Sequence, residues 1–547
     1  MEHSLLHALQ LLGTVVGLGG STLMVAFVFP ALRAKHLDQS APRFAGQLNT
    51  SVAQWIFRGA LVAAFAVIFG FFVDAAELDG RTVFGGVNPG LVWRFATMTT
   101  VGQLSLLRLA ALVFTAAATR LPGNRKWGLV LVSSLAAVAC EGLVCHAAAQ
   151  PSGRTSAIAV ELVHILAVSL WLGVLMHLLL ARRAIESATD NGSMALVTEI
   201  VRRFSPIALA GACLLATSGL FLAVRYLCSP GAVFTSAYGL TLLVKMGLLV
   251  PLLYAGFVNY RRNRPGLEAA QTAGSEELRR GWLGRFGKTL ELEATAGVLV
   301  IVVAGILASV SPPQKLETLR LTAAQLNAFK SPHLPRTVIP NPETFYGAQE
   351  RTKADMRYAE FTHNWSGVMV CLLGSCWFLQ SLGGRLGRWA EKSWPWLLIP
   401  LPVFVAVAAD PEEWVLGKVG FAQIIQDPQL LEHQFGALLA FAVVGLGWLD
   451  QRLPAQRRPL GYTLPVVMIL GSLLLLGHAH SNFTTTQDLT NLINVQHAIF
   501  GAFGLFAGVF RWLSLRGLIP AAQARLVWPV LVIGLGLFMA FYYRETI

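Results

Sequence analysis

Charged side chains are scarce in this sequence. Asp, Glu, Lys and Arg make up 13% of the 547 residues, whereas soluble domains carry about 25%. This deficit argues against a soluble protein and, with 55% hydrophobic residues, predicts a polytopic membrane protein. The net charge of +13 does not indicate nucleic-acid binding, because the Lys and Arg residues are dispersed among short loops and form no single basic face.

Cysteines and nucleotide-binding motifs are also scarce. The six cysteines include no CxxC pair, so a disulfide framework is not expected. The chain has neither a GxxxxGK[ST] loop nor a phosphorylation-type aspartate motif. ATP-driven and hydrolytic chemistry are therefore disfavoured, and we expect no enzymatic activity.

Long apolar runs dominate what is present. A helix needs about 20 apolar residues to cross a bilayer, so the sequence predicts an all-α bundle of about fourteen transmembrane helices. The predicted spans are approximately 5–32, 52–73, 101–119, 127–148, 157–181, 204–227, 238–260, 289–311, 362–383, 394–409, 430–449, 460–479, 489–513 and 525–543. The first run is too long for a signal peptide and lacks a basic leader, so we expect a retained helix.

Lys and Arg residues cluster in every second loop, beginning with the loop after the first span. The alternate loops are acidic or almost uncharged, such as the loop with Asp74, Glu77 and Asp79. The positive-inside rule places the basic loops in the cytoplasm and both termini outside. We predict an eight-span domain at 1–313, a periplasmic linker or cap at 314–361, and a six-span domain at 362–547.

Histidines concentrate near the predicted outer face, which holds ten of the twelve. The central stretch is 140–171, where one helix ends and the next begins. Imidazole is the commonest metal ligand, although a single histidine is often only an interfacial residue. The candidate metal ligands are His3, His7, Cys145, His146, His164, His433, His478, His480 and His497.

A second set of residues lies within or at the ends of the predicted helices. Its members are Arg108, Glu141, Glu161, Trp171, Met176, His177, Lys245 and Glu293. One interpretation is that they orient the imidazoles and form an ion path through the bundle. The alternative is a structural network of ion pairs, for example between Arg108 and Glu141.

The two predicted domains share a pattern. His146 and His164 are eighteen residues apart on successive spans, and His480 and His497 are seventeen apart. We interpret the second pair as a diverged repeat of the first histidine-bearing helix pair.

Several segments resemble the copper resistance D family of bacterial inner-membrane proteins. These segments are HAAA (146–149), ELVHILAVSLWLGVL (161–175), RRFSPIALAGACLLATSGL (202–220), SAYGLTLLVKMGLL (236–249) and LELEATAGVLVIVVAGILASVSPP (290–313). The resemblance covers roughly 1–313 and implies copper uptake or handling across the inner membrane, with a copper ion as the bound species. Some relatives have Gly where this chain has Cys145, which adds a soft ligand.

Three functions remain open from the sequence. The first is a copper transporter with His and Cys ligands at the periplasmic face. The second is a membrane cytochrome with haem b held by His164 and His146, or by His433 and His497. The third is a non-transporting assembly partner in the lipid bilayer, docking a periplasmic copper chaperone or a copper enzyme.

Overall fold

The computed structural model describes residues 2–33, 40–79, 83, 86–145, 153–313, 319–341, 351–412, 416–424, 428–453, 459–477 and 486–547. Within these ranges helices dominate and no strand forms, so the all-α prediction is confirmed. We call outer the face at which the first helix begins and inner the opposite face, following the predicted orientation.

Eight long apolar helices form the N-terminal part of the bundle. They are α1 (His3–Leu32), α2 (Ser40–Leu78), α3 (Thr100–Ala118), α4 (Lys126–Val144), α5 (Arg154–Leu180), α6 (Asn191–Leu227), α7 (Ala237–Ala273) and α8 (Glu276–Leu307). Each is long and apolar enough to cross a membrane. They coincide with the first eight predicted spans, and α2, α6, α7 and α8 extend well beyond them.

In the described residues of the C-terminal part, six helices correspond to the predicted spans. They are α9 (Lys353–Leu382), α10 (Pro400–Ala408), α11 (Leu430–Arg452), α12 (Thr463–Gly477), α13 (Gln487–Leu515) and α14 (Ala521–Phe541). Of these, α9, α11 and α13 are long enough to cross a membrane, and α12 and α14 contain shorter apolar stretches. The number of spans and the external position of the termini stay predictions.

The predicted span at 394–409 is divided between two helices. A helix over Gly384–Leu398 ends just before Pro400, where α10 begins. Proline lacks the backbone N–H and its ring clashes with the preceding turn, so it starts helices and interrupts them. The nine residues of α10 span only about 13 Å at 1.5 Å per residue, less than a bilayer core.

Helix α1 lies at the centre of the N-terminal part, against α2, α4, α5 and α8. Its crossing with α5 is very close: a Cβ on Gly19 would overlap the backbone of Gly173, and one on Gly173 would overlap Val15. Glycines at both positions therefore permit this crossing.

Three π-helical segments interrupt the N-terminal helices. They are Leu23–Val28 in α1, Ser169–Gly173 in α5 and Asn259–Asn263 in α7, each nearer the inner than the outer end of its helix. π-Helical bulges occur mostly as single turns and often at functional sites. The inner half of the bundle is therefore a candidate location for a functional site.

The two parts of the chain pack against each other. Helix α7 contacts α13, and α8 contacts α12, so buried side chains of both parts join one hydrophobic core. Near the inner face, the Glu291 carboxylate on α8 pairs with Arg182 and with Arg516, which follows α13.

Candidate metal sites and polar path

The outer ends of α1 and α2 bring one histidine and two carboxylates together. His3 Nε2 lies 2.7 Å from Glu77 Oε2, and Nδ1 lies 3.4 Å from Asp74 Oδ1. The His7 ring stacks beside that of His3, with centroids 6.5 Å apart. In the described ranges, this is the one group of three His, Cys, Asp or Glu side chains whose ligand atoms all lie within 4.8 Å of one another. Imidazole and carboxylate ligands suit Cu(II) and other borderline divalent cations.

A buried ion pair lies deeper in α3 and α4. Arg108 is 4% exposed and pairs with Glu141. Its Nη1 also donates to Gln10 Oε1 at 2.9 Å, and Gln10 Nε2 donates to the Ala66 carbonyl at 3.0 Å. This arrangement agrees with the second interpretation of these charges, a structural ion pair. Here Gln10 is its hydrogen-bonded neighbour.

Helices α5, α6 and α7 contribute the next polar group. His164 Nδ1 lies 2.9 Å from Ser218 Oγ on α6. Glu161 and Lys245 lie close enough for their charges to interact. The Lys245 charge also interacts electrostatically with His164. Glu141 acts electrostatically on Glu161, so this group continues the Arg108 pair across the outer half of the bundle.

Cys145 does not join His164 in a compact metal cluster among the described side chains. Its thiol donates to the Gly142 carbonyl at 2.9 Å. His146, His478 and His480 lie outside the described residues, so the proposed His146–His164 and His480–His497 pairs stay predictions.

The inner half of the bundle buries a carboxylate between two π-helical segments. Glu293 on α8 is 3% exposed. Asn259 Nδ2, at the start of the α7 segment, donates to Glu293 Oε2 at 2.6 Å, and Trp171 in the α5 segment lies close to the Glu293 carboxylate. The sequence predicted Trp171 and Glu293 as members of a path but did not predict that they lie close together.

His177 and Met176 follow on α5 and are both buried. His177 Nε2 lies 2.9 Å from the Val16 carbonyl of α1. Its Nδ1 has no hydrogen-bond partner among the described residues. If Nε2 donates to the carbonyl, Nδ1 carries the lone pair of the neutral ring.

The C-terminal part has its own histidines at the outer end. His433 Nδ1 on α11 lies 2.7 Å from Asp410 Oδ2. The His497 ring on α13 faces His363 of α9, Phe500 and Tyr543, with centroids 5.6, 5.5 and 6.5 Å away. These side chains pack beside His497, and the haem alternative at His433 and His497 stays a prediction.

Asp74, Glu77, Asn259, Asp410 and His363 were missed as site residues. The sequence did show Asp74 and Glu77 in an acidic outer loop and placed His363 at the outer start of a span. The missing information was which helix ends meet, and that depends on packing between distant segments.

The C-terminal tail forms a charged pair with the residues that precede α9. Arg351 Nη2 contacts Glu545 Oε2 at 2.9 Å, and the Tyr543 hydroxyl donates to Glu545 Oε1 at 2.5 Å. Burial raises the pKa of Glu545 to about 7, and the nearby Arg351 guanidinium opposes that increase. The tail is therefore packed into the protein.

Comparison with known proteins assigns the N-terminal part. Residues 4–155 match the model for the copper resistance protein D-like N-terminal domain, and 198–307 match that for copper resistance protein D. These two matches support assigning the N-terminal part of the chain to the copper resistance protein D type. Together with the long apolar helices, they support a multi-pass membrane protein with a copper-related function. The C-terminal part lies beyond both matched ranges.

One curated relative is the copper transport protein CutJ of Bacillus subtilis (strain 168). It is 27% identical over 236 residues, which cover 42% of this chain and 40% of that protein. The alignment therefore spans less than half of either protein. No solved structure matches the chain.

Proposed function

We propose that this chain takes up copper across the bacterial inner membrane through its N-terminal bundle. The observation that carries the proposal is the His3, Asp74 and Glu77 cluster at the outer end of a family-matched bundle. Copper leaving water needs ligands at once, and a rim histidine with two carboxylates supplies them. The partial exposure of His3 and Asp74, 32% each, keeps the cluster accessible.

The polar groups below the cluster supply the next steps. The charges of Arg108 and Lys245 are balanced by Glu141 and Glu161, so the layer has no formal net charge that would repel a cation. The imidazole of His164 is then the ligand at this depth.

The inner half offers a second station. Buried carboxylates within spans are costly and usually mark functional sites such as ion pathways. Glu293 offsets the charge of a copper ion there, and Asn259 and Trp171 hold its orientation. His177, with its Nδ1 directed away from its carbonyl contact, provides the imidazole.

Copper accumulation in cells tests this proposal. Cells expressing the wild-type chain are expected to accumulate more copper than cells with an empty vector. The double variant His3→Gln/Glu77→Gln removes two members of the outer cluster and is expected to need about tenfold more external copper for the same rate.

Glu276→Gln is the matched control, because it makes the same carboxylate-to-amide change in an exposed pair with Arg280 at the inner face. This variant should accumulate copper like the wild type. Equal copper content with and without the chain would contradict uptake and favour a non-transporting assembly partner.

A further inference from the structure

A recess of about 440 Å³ opens at the inner face, between the start of α8 and the short helix Arg182–Glu186 that follows α5. Four cationic side chains, one carboxylate and two glycines line this inner recess. The cations are Arg182, Arg280, Arg285 and Lys288, the carboxylate is Glu186, and the glycines are Gly281 and Gly284. Four positive charges against one negative give the lining a formal charge of +3.

Glycines near the start of α8 shape the inner recess. Gly281 and Gly284 are three residues apart and therefore share one face of the helix. A Cβ on either residue would meet no atom within 4 Å in the part of the chain that the structure describes. A Cβ on Gly287 would instead overlap the Glu186 carboxylate, so this glycine lets the opposite wall approach α8. The recess thus has an open glycine floor beside a closely packed wall.

Arg285 and Lys288 are exposed and follow the two floor glycines by one helical turn each. Helical side chains lean toward the N-terminus and cover the turn before their own, so these two cations extend over Gly281 and Gly284. Among the described side chains, neither cation forms an ion pair with a carboxylate. The Arg285 guanidinium lies 4.9 Å from the centre of the Trp282 ring, which holds it beside the recess.

The other two cations of the inner recess are already paired. Arg182 Nε lies 2.6 Å from Glu186 Oε1, and Arg280 Nη2 lies 2.7 Å from Glu276 Oε1. These pairs fix the walls of the recess. The positive charge left for a ligand therefore comes from Arg285 and Lys288.

The inner recess lies at the level of lipid headgroups. Lys288 directly precedes the predicted span 289–311, and Arg182 lies two residues after the end of α5 at Leu180. The headgroup region extends about 5–8 Å beyond each side of the hydrocarbon core, and two residues of helix rise only about 3 Å. The inner face is also the predicted cytoplasmic face, whose anionic lipids attract basic segments.

We propose that the inner recess binds the phosphate group of an anionic phospholipid, with Arg285 and Lys288 as its direct contacts. A guanidinium binds phosphate through two parallel hydrogen bonds, and an ammonium binds it as a point charge. A zwitterionic headgroup is disfavoured, because the positive lining repels its ammonium. A bound lipid would link α8 to the helix that follows α5. This site does not depend on the proposed copper uptake, and its failure would leave that proposal intact.

Titrating the purified full chain in neutral detergent with phosphatidylglycerol tests the site, with bound lipid counted by native mass spectrometry. The wild type should bind one phosphatidylglycerol more tightly than it binds phosphatidylethanolamine. Arg285→Gln/Lys288→Gln should weaken this binding about thirtyfold, because each cation near the surface contributes about fivefold to the affinity for an anionic lipid. Arg261→Gln/Arg262→Gln is the matched control, since it removes two exposed cations at the inner end of α7 that do not line the recess. It should bind like the wild type.

A second variant separates the shape of the recess from its charge. Gly284→Leu keeps every charge, and its Cβ meets no described atom within 4 Å, so the chain can fold while the new side chain occupies the recess. This variant should also bind phosphatidylglycerol more weakly than the wild type. Undiminished binding in Gly284→Leu or in Arg285→Gln/Lys288→Gln would overturn the proposal. Binding of phosphatidylethanolamine or of inorganic phosphate as tight as that of phosphatidylglycerol would overturn the assignment to an anionic lipid.

Discussion

Arg108 shows how single residues are accommodated in this bundle. It is a nearly inaccessible cation whose guanidinium meets Glu141 and Gln10. Taking two charges out of water costs several kcal/mol per ion, and their attraction offsets this cost only while both partners remain. The pair therefore constrains the packing of α3 and α4 more than it adds net stability.

Removing only one member of the Arg108–Glu141 pair should lower the free energy of unfolding more than removing both members. We expect Arg108→Met to lower the free energy of unfolding by about 3–5 kcal/mol, because Glu141 is left as an unpaired buried charge. The double variant Arg108→Met/Glu141→Leu should recover most of that loss. Thermal unfolding in detergent compares the three proteins. A double variant no more stable than the single one would show that the unpaired charge is not the cause.

Individual residues were predictable where spacing along one helix decides the outcome. His3 and His7 share a face because they are four residues apart, and their rings do stack. Glu77 could not be identified as their partner, because the alignment of α1 with α2 is set by packing and leaves no local signal. Glu293 was selected as a charge in a span, whereas its contacts with Asn259 and Trp171 depend on two other helices.

At the scale of elements, hydropathy located the helices because a membrane helix is mainly defined by apolar length. The π-helical segments were not predicted, since one inserted residue per turn leaves composition unchanged. The break before Pro400 was also missed, although proline is a known helix interruption. The long helices could thus be predicted from the sequence, whereas the π-helical segments and the break before Pro400 could not.

The crossing of α1 and α5 gives a test at this scale. We expect Gly19→Ala to lower the thermal unfolding midpoint, because the added Cβ overlaps Gly173 and overpacking usually costs about 1–3 kcal/mol. Gly128→Ala is the matched control, since a Cβ there meets no atom within 4 Å. It should be neutral or slightly stabilising in a helix. Equal midpoints for the two variants would refute the close crossing.

At the scale of the whole molecule, composition divided the chain into two parts but did not predict how they join. They share a hydrophobic core, and Glu291 links Arg182 of the N-terminal part to Arg516 of the C-terminal part. The family match ends within the first part. The proposed copper route therefore lies in the N-terminal bundle, and the C-terminal helices pack beside it.

Radioactive copper uptake into proteoliposomes that contain only the purified chain tests the central claim most directly. Wild-type vesicles should fill faster than protein-free vesicles. Glu293→Gln should slow filling about tenfold, because the ion loses a charge-balancing group, and Glu276→Gln should fill like the wild type. Wild-type vesicles that fill no faster than protein-free ones would contradict the account.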